Sequence, residues 1–115
     1  MPPFFIITKD ESGPNVVAFH GRISYGRETE RCRQKIKELL EGGDRRFLFD
    51  LDEVQYVDSA GVGFLVSCLT TFQQAGAKLR LTRLPDKVRH VLKITRLHTV
   101  FQIFDSREQA LKNFS

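Results

Sequence analysis

Residues 47–69 read FLFDLDEVQYVDSAGVGFLVSCL. Phe47-Leu48-Phe49 is a near-continuous apolar run, the pattern of a strand covered on both faces. A short connection follows. The turn Asp58-Ser59-Ala60-Gly61-Val62-Gly63 then opens a helix, with Asp58 or Ser59 able to cap it. Val62, Leu65, Val66 and Leu69 recur at helical spacing and are expected to face the core, and Gly76 ends the helix. A buried strand that runs into a helix is half of a parallel β-α-β unit.

The same alternation continues on either side. Upstream, Phe4 to Thr8 and Val16 to His20 read as strands around the turn Gly13-Pro14-Asn15. Their connection is too short for a crossover, so they pair as an antiparallel ribbon. In Arg27 to Glu41, Cys32, Ile36, Leu39 and Leu40 share one helical face, and Gly42-Gly43 stops the helix. Downstream, Leu79 and Leu81 alternate with Lys78, Arg80 and Thr82, as on a half-exposed strand. Pro85 suits the first turn of a third helix, with Val88, Val91 and Leu92 inward. Val100 to Phe104 reads as a last strand. Asp105 with Glu108 is a capping-box variant that opens a final helix through Ala110, Leu111 and Phe114. The order ββαβαβαβα predicts an α/β fold. It is a single domain over residues 1–115, a mixed, mostly parallel sheet of about five strands with about four helices.

Composition agrees. A chain of 115 residues is long enough for one core. Area scaling gives roughly 6,400 Å² exposed when folded against roughly 19,000 Å² unfolded, so no metal or disulfide staple is needed. Hydrophobic content of 41% against 28% charged residues excludes disorder. Cys32 and Cys68 are too few for a disulfide framework, show no CxxC spacing and have no histidine beside them, so they read as inert reduced thiols. No metal and no cofactor is expected. The start MPPFFIITKDE has neither a basic n-region nor a long apolar stretch, and no run reaches eighteen apolar residues. The expectation is a cytoplasmic protein that does not enter a membrane.

One part of the sequence resembles a family. Asp58, Ser59, Gly61 and Gly63 match the DS-x-G-[LV]-G signature of STAS domains, a family that includes bacterial anti-sigma factor antagonists. The resemblance extends to Phe49-Asp50-Leu51, Gly76-Ala77-Lys78-Leu79, Pro85 with Val88 and Leu92, and Phe104-Asp105-Ser106 with Ala110-Leu111. It covers nearly the whole chain from about Val16. What it implies is a regulatory binding module and not an enzyme. In these antagonists the Ser directly after the Asp is phosphorylated by an anti-sigma factor that is itself a serine kinase. The unmodified antagonist binds that partner and the phosphorylated form lets go. Carried over by position, the acceptor is Ser59. The partner-binding surface would centre on Asp58, Ser59, Ala60, Gly61, Val62 and Gly63, with Ser24 of the Gly21–Ser24 connection nearby. The runner-up is a STAS module of a membrane transporter or a stress-sensing complex, without phosphorylation. The sequence leaves open a monomer or a weak dimer.

The residues alone read more modestly. Ser59 suits a helix cap, and Asp58 a cap, a loop hydrogen-bonder or a group that orients the Ser59 hydroxyl. Gly61 and Gly63 each cost about 1 kcal/mol against Ala in a helix. Two such costs in one first turn imply close backbone approach, by a partner or by a neighbouring strand. A phosphate at a helix N-terminus meets a favourable dipole and free N–H groups, so it should leave the helix folded. Two positions depart from the family pattern. Ser24 stands where many members carry an acid, and Arg96 where a Gly is usual after the third helix.

Other classes fit less well. A hydrolase would need a G-x-S-x-G elbow, and of His20, His90 and His98 only His20 ends a strand that could neighbour Ser59. A receiver domain would need a helix straight after Asp10-Glu11, where Gly13-Pro14 leads to a strand instead. A nucleotide site would need the P-loop lysine or a G-x-G-x-x-G run. The net charge of +4 is uneven. Residues 1–58 hold 9 basic and 11 acidic side chains, whereas residues 59–115 hold 9 basic and 3 acidic. Arg89, His90, Lys93 and Arg96 share one helical face, opposite Val88, Val91, Leu92 and Thr95. That face is a solvated surface or a docking surface. It has no interleaved aromatic residues to stack bases, so direct nucleic-acid binding is not expected.

Overall fold

A computed structural model describes residues 2–114. β1 (Phe5–Lys9) and β2 (Asn15–Ile23) form the antiparallel ribbon. They are followed by α1 (Arg27–Glu41), β3 (Arg46–Val57), α2 (Ser59–Gln74), β4 (Lys78–Thr82) and α3 (Asp86–Ile94). A 3₁₀ turn (Leu97–Thr99), β5 (Gln102–Phe104) and α4 (Arg107–Leu111) complete the chain. The five strands lie in sequence order, with β2 to β5 parallel.

Right-handed crossovers between strands added always to one edge put successive helices on the same face. The core has this form. Cys32, Ile36 and Leu40 of α1, Phe64, Leu65, Cys68 and Phe72 of α2, and Val88 and Leu92 of α3 share one cluster with Val17, Phe19, Phe47, Phe49, Leu79 and Leu81. Phe47 stacks on Phe72 with ring centroids 4.6 Å apart. The opposite face holds a smaller cluster of Val16, Leu48, Ala110 and Phe114. Phe47 and Phe49 therefore point one way and Leu48 the other, which is why this run is apolar without interruption. The folded surface is 6900 Å², close to the value expected from mass.

Several boundaries differ from the sequence reading. β3 does not stop after the apolar run but is 12 residues long and reaches Val57. Asp52 and Glu53 are exposed and hid the continuation, while Val54 and Val57 are buried. Register shifts opposite Ala18/His20 and Gly21/Arg22 also broke the alternation there. In α2 the core side is Gly61, Phe64, Leu65, Cys68 and Phe72, and Val62, Val66 and Leu69 are only half-buried. Pro85 is the cap of α3 rather than its first residue, and Val91 is half-buried. Thr95 is exposed, with its hydroxyl donating to the Val91 carbonyl at 2.8 Å. The last strand is shorter than expected, because the Val100 and Phe101 N–H groups both donate to the Leu97 carbonyl of the 3₁₀ turn, at 3.0 and 3.2 Å, and the strand begins only at Gln102.

The cap of α4 is Ser106, whose Oγ accepts from the Gln109 N–H at 3.1 Å, and not Asp105. Phe114 lies beyond the helix, after Asn113 at φ 51. It is held in place by cations. Arg80 donates to the carbonyls of Ala110, Lys112 and Asn113 at 2.9, 2.8 and 3.1 Å. Its guanidinium lies 4.3 Å from the Phe114 ring and 4.9 Å from Phe104.

One buried charge ties the back of the molecule together. Asp50, only 2% exposed in mid-β3, accepts from Arg83 Nε at 3.1 Å and Nη2 at 2.6 Å, and also from Arg107 Nε. Burial pushes its carboxyl up, but the hydrogen bonds from Arg83 and Arg107 outweigh that, and its pKa lies below 3.8. The loop into α3 and the start of α4 are thereby fixed to one carboxylate.

Candidate functional site

Ile23 pairs with Val57 at the last rung of the β2–β3 ladder. The Asp58 N–H donates to the Ile23 carbonyl at 3.3 Å, so the chain leaves β3 still attached to β2. Asp58 is extended, at φ −89 and ψ −177, and caps α2 by accepting from the Gly61 N–H at 2.8 Å. Its second oxygen accepts from Ser24 Oγ at 2.5 Å. The Ser24 hydrogen bond first, then that of Gly61, holds the Asp58 carboxyl below 3.8. The position where an acid is common in the family thus carries a hydroxyl that serves the neighbouring aspartate.

With Asp58 as the cap, Ser59 is not one. It is the first residue of α2 and is exposed. The two glycines of the turn have different reasons. A Cβ on Gly61 would lie 1.9 Å from the Ile23 carbonyl oxygen and 3.0 Å from Val57 Cγ1, so Gly61 lets α2 seat against the ends of β2 and β3. Gly63 is exposed, and a Cβ there would meet nothing within 4 Å. Ala60 is exposed, and Val62 and Ser24 are half-buried. Gly61 is buried, so of the expected surface residues it is the one that faces inward.

Small side chains leave space beside Ser59. A groove of about 290 Å³ between α1 and α2 is lined by Tyr25, Thr29, Glu30, Arg33, Ala60, Gly63, Phe64 and Ser67. Tyr25, 81% exposed, stands at one end of it. On the strand side, Arg22 lies over the ring of Tyr56 at 5.3 Å. Arg22, Tyr25 and Tyr56 were not picked out from sequence. Arg22 and Tyr56 become neighbours only through the register of β2 on β3.

Other chemistry finds little support here. His20 pairs in register with Glu53, three residues back from the Ile23–Val57 rung and about 10 Å along the strand. His90 and His98 are on α3 and the 3₁₀ turn. No group of three His, Cys, Asp or Glu side chains is placed to hold a metal among the described residues. Cys32 and Cys68 are both buried and free, and burial pushes the Cys68 thiol up to about 12 and the Cys32 thiol higher still. Among the described residues, no helix is long and apolar enough to cross a membrane.

A mixed sheet with α1 to α3 on one face and α4 on the other, and an accessible serine where a strand meets a helix, define the class: a small single-sheet α/β domain. The chain belongs to the STAS domain family, whose model matches residues 6–110. It is 25% identical over 108 residues to BtrV of Bordetella bronchiseptica, provisionally named an anti-sigma factor antagonist, covering 94% of this chain and 93% of that one. The fold is similar to that of a provisionally named anti-sigma factor antagonist from Thermotoga maritima (TM-score 0.81, 21% identity, 96% and 93% of the two chains). It is also similar to the Bacillus cell fate determinant SpoIIAA in its phosphorylated form (TM-score 0.74, 18% identity, 93% and 96% covered). Against the unphosphorylated anti-sigma factor antagonist SpoIIAA the TM-score is 0.71, at 17% identity with 92% of each chain covered.

Proposed function

We propose that this protein is an anti-sigma factor antagonist, a protein-binding switch that works in the cytoplasm and is turned off by phosphorylation of Ser59. The observation that carries this reading is the division of labour at the start of α2. Asp58 takes the capping duty and Gly61 takes the packing contact, so the exposed Ser59 hydroxyl is committed to neither. The names of the relatives favour the same reading.

In this proposal the partner is an anti-sigma factor with serine-kinase activity. It docks over Ser59, Ala60, Val62 and Gly63, with Asp58 and Ser24 behind them. The kinase then transfers the terminal phosphoryl group of ATP to Ser59 Oγ: the O–P bond to the serine forms as the bond from the γ-phosphorus to the bridging oxygen breaks, ADP leaves, and the hydroxyl proton goes to base or solvent. The product carries about −1.5 to −2 charge where the partner had packed. Like charge from Asp58 and the added bulk weaken docking, while the N-terminal dipole of α2 tolerates the phosphate. The switch is local and the fold persists. Likeness to both forms of SpoIIAA is in keeping with a fold that does not depend on the phosphate.

The test is a titration of the purified anti-sigma factor with wild type, Ser59→Ala and Ser59→Glu. Wild type and Ser59→Ala are expected to bind alike, and Ser59→Glu at least tenfold more weakly. Equal binding by all three would overturn the switch at Ser59, and no binding by any of them would favour a STAS module of a transporter or stress-sensing complex that is not phosphorylated.

A further inference from the structure

The excess positive charge of the second half of the chain is not used by the site around Ser59. The structure gathers much of it on α3 and the 3₁₀ turn. Lys87, His90, Lys93, Arg96 and His98 are all exposed and form no ion pair among the described residues. Arg89 alone is engaged, with Asp105 at 3.7 Å. Two large aliphatic side chains stand among these basic residues. Ile94 is 66% exposed and Val100 is 53% exposed, whereas Val88 and Leu92 of the same region are buried and Val91 and Leu97 half-buried. Arg96 takes φ 62 at the end of α3, where a glycine would be unstrained, and the 3₁₀ turn then brings the chain round into β5.

We propose that this basic and aliphatic surface binds the anionic face of a lipid bilayer. The charge complements acidic headgroups: Lys87, Lys93 and Arg96 are unpaired among the described residues, Arg89 is shared with Asp105, and Asp86 is the one acid on α3, which puts the four lysines and arginines at the low end of basic clusters that bind such surfaces. Ile94 and Val100 stand free of the surface instead of lining a cleft, which suits shallow entry between headgroups more than packing on a protein. Geometry keeps the two ends of the molecule independent. α3 begins after the carboxyl end of β4 and runs about 13 Å back along the sheet, so Ile94 lies away from the edge that carries Ser59. A protein held by the α3 end would still present Ser59 to a partner. This inference does not rest on the proposed phosphorylation.

Co-sedimentation with vesicles tests it at 0.1 M salt, using pure phosphatidylcholine and phosphatidylcholine with a third phosphatidylserine. Binding is expected only to the anionic vesicles, and to fall at least tenfold in 0.5 M salt. Lys87→Glu/Lys93→Glu should lose the charge-dependent part, and Ile94→Ser/Val100→Ser should weaken binding at unchanged charge. All four positions are exposed, and far-ultraviolet circular dichroism checks that each variant folds. No binding to the anionic vesicles, or binding unaffected by either double variant, overturns the proposal, the first result leaving an acidic protein as the occupant of this face.

Discussion

Two aspartates eight residues apart on one strand and its exit have opposite roles. Asp50 is buried, and Arg83, Arg107 and the Asp52 N–H use both of its oxygens. Asp58 lies at the rim, and its partners are a helix N–H and the hydroxyl of Ser24. Both carboxyls are held below 3.8, yet only the second sits beside an uncommitted reactive group. A saturated buried charge is architecture, because nothing can approach it. A carboxylate at the rim that frees a neighbouring serine from capping marks a place where chemistry can happen. A perturbed carboxyl alone therefore does not separate structure from function. What separates them is whether an accessible group stands next to it.

The sharpest way to break this contrast is to remove each aspartate. Asp50→Ala is expected to cost about 3 kcal/mol in urea unfolding, because the arginines of two segments lose their common partner. A loss below 1 kcal/mol would show that α3 and α4 hold their places without it. Gly61→Ala should follow, at about 2 kcal/mol, since its Cβ would meet the Ile23 carbonyl and the backbone of α2 must shift. Gly63→Ala is the counterpart. With nothing near its Cβ, the variant should be as stable as wild type or gain up to about 1 kcal/mol of helix propensity. Its partner affinity should nevertheless fall, and that split between stability and binding is the signature of a contact surface.

Acid sharpens the comparison further. The folded carboxyls of Asp50 and Asp58 lie below 3.8, so their stabilisation is complete above that pH and is lost as pH falls through the lowered values. Asp58→Asn should therefore differ from wild type at neutral pH and converge with it below pH 3.8, by thermal melts across that range. The smallest effect belongs to Ser59→Ala, expected within about 0.5 kcal/mol of wild type because the side chain is exposed and caps nothing.

Much of this was legible in the sequence, for definite reasons. Apolar patterns, turns and caps placed the five strands and four α-helices, though not the 3₁₀ turn or most of the core side of α2, and the uninterrupted run Phe47-Leu48-Phe49 signalled burial from both sides. The DSAGVG turn marked the start of α2. What stayed hidden depended on contacts between distant residues. Nothing local shows that Asp50 meets Arg83 and Arg107, or that Ser24 reaches Asp58 across a gap of 34 residues. The two glycines look alike in sequence, and only the position of the Ile23 carbonyl assigns Gly61 to packing. The extension of β3 was obscured by Asp52 and Glu53, which point to solvent from a strand that has outrun its β4 neighbour at the Asp50–Thr82 rung.

The most direct test of the central claim is to incubate the protein with ATP and its anti-sigma kinase and to map phosphate by mass spectrometry. Circular dichroism is recorded before and after. One phosphate on Ser59, none on the Ser59→Ala variant, and an unchanged helical spectrum are the expected results. Phosphate on another residue, or a large loss of helix when Ser59 is modified, would contradict the account.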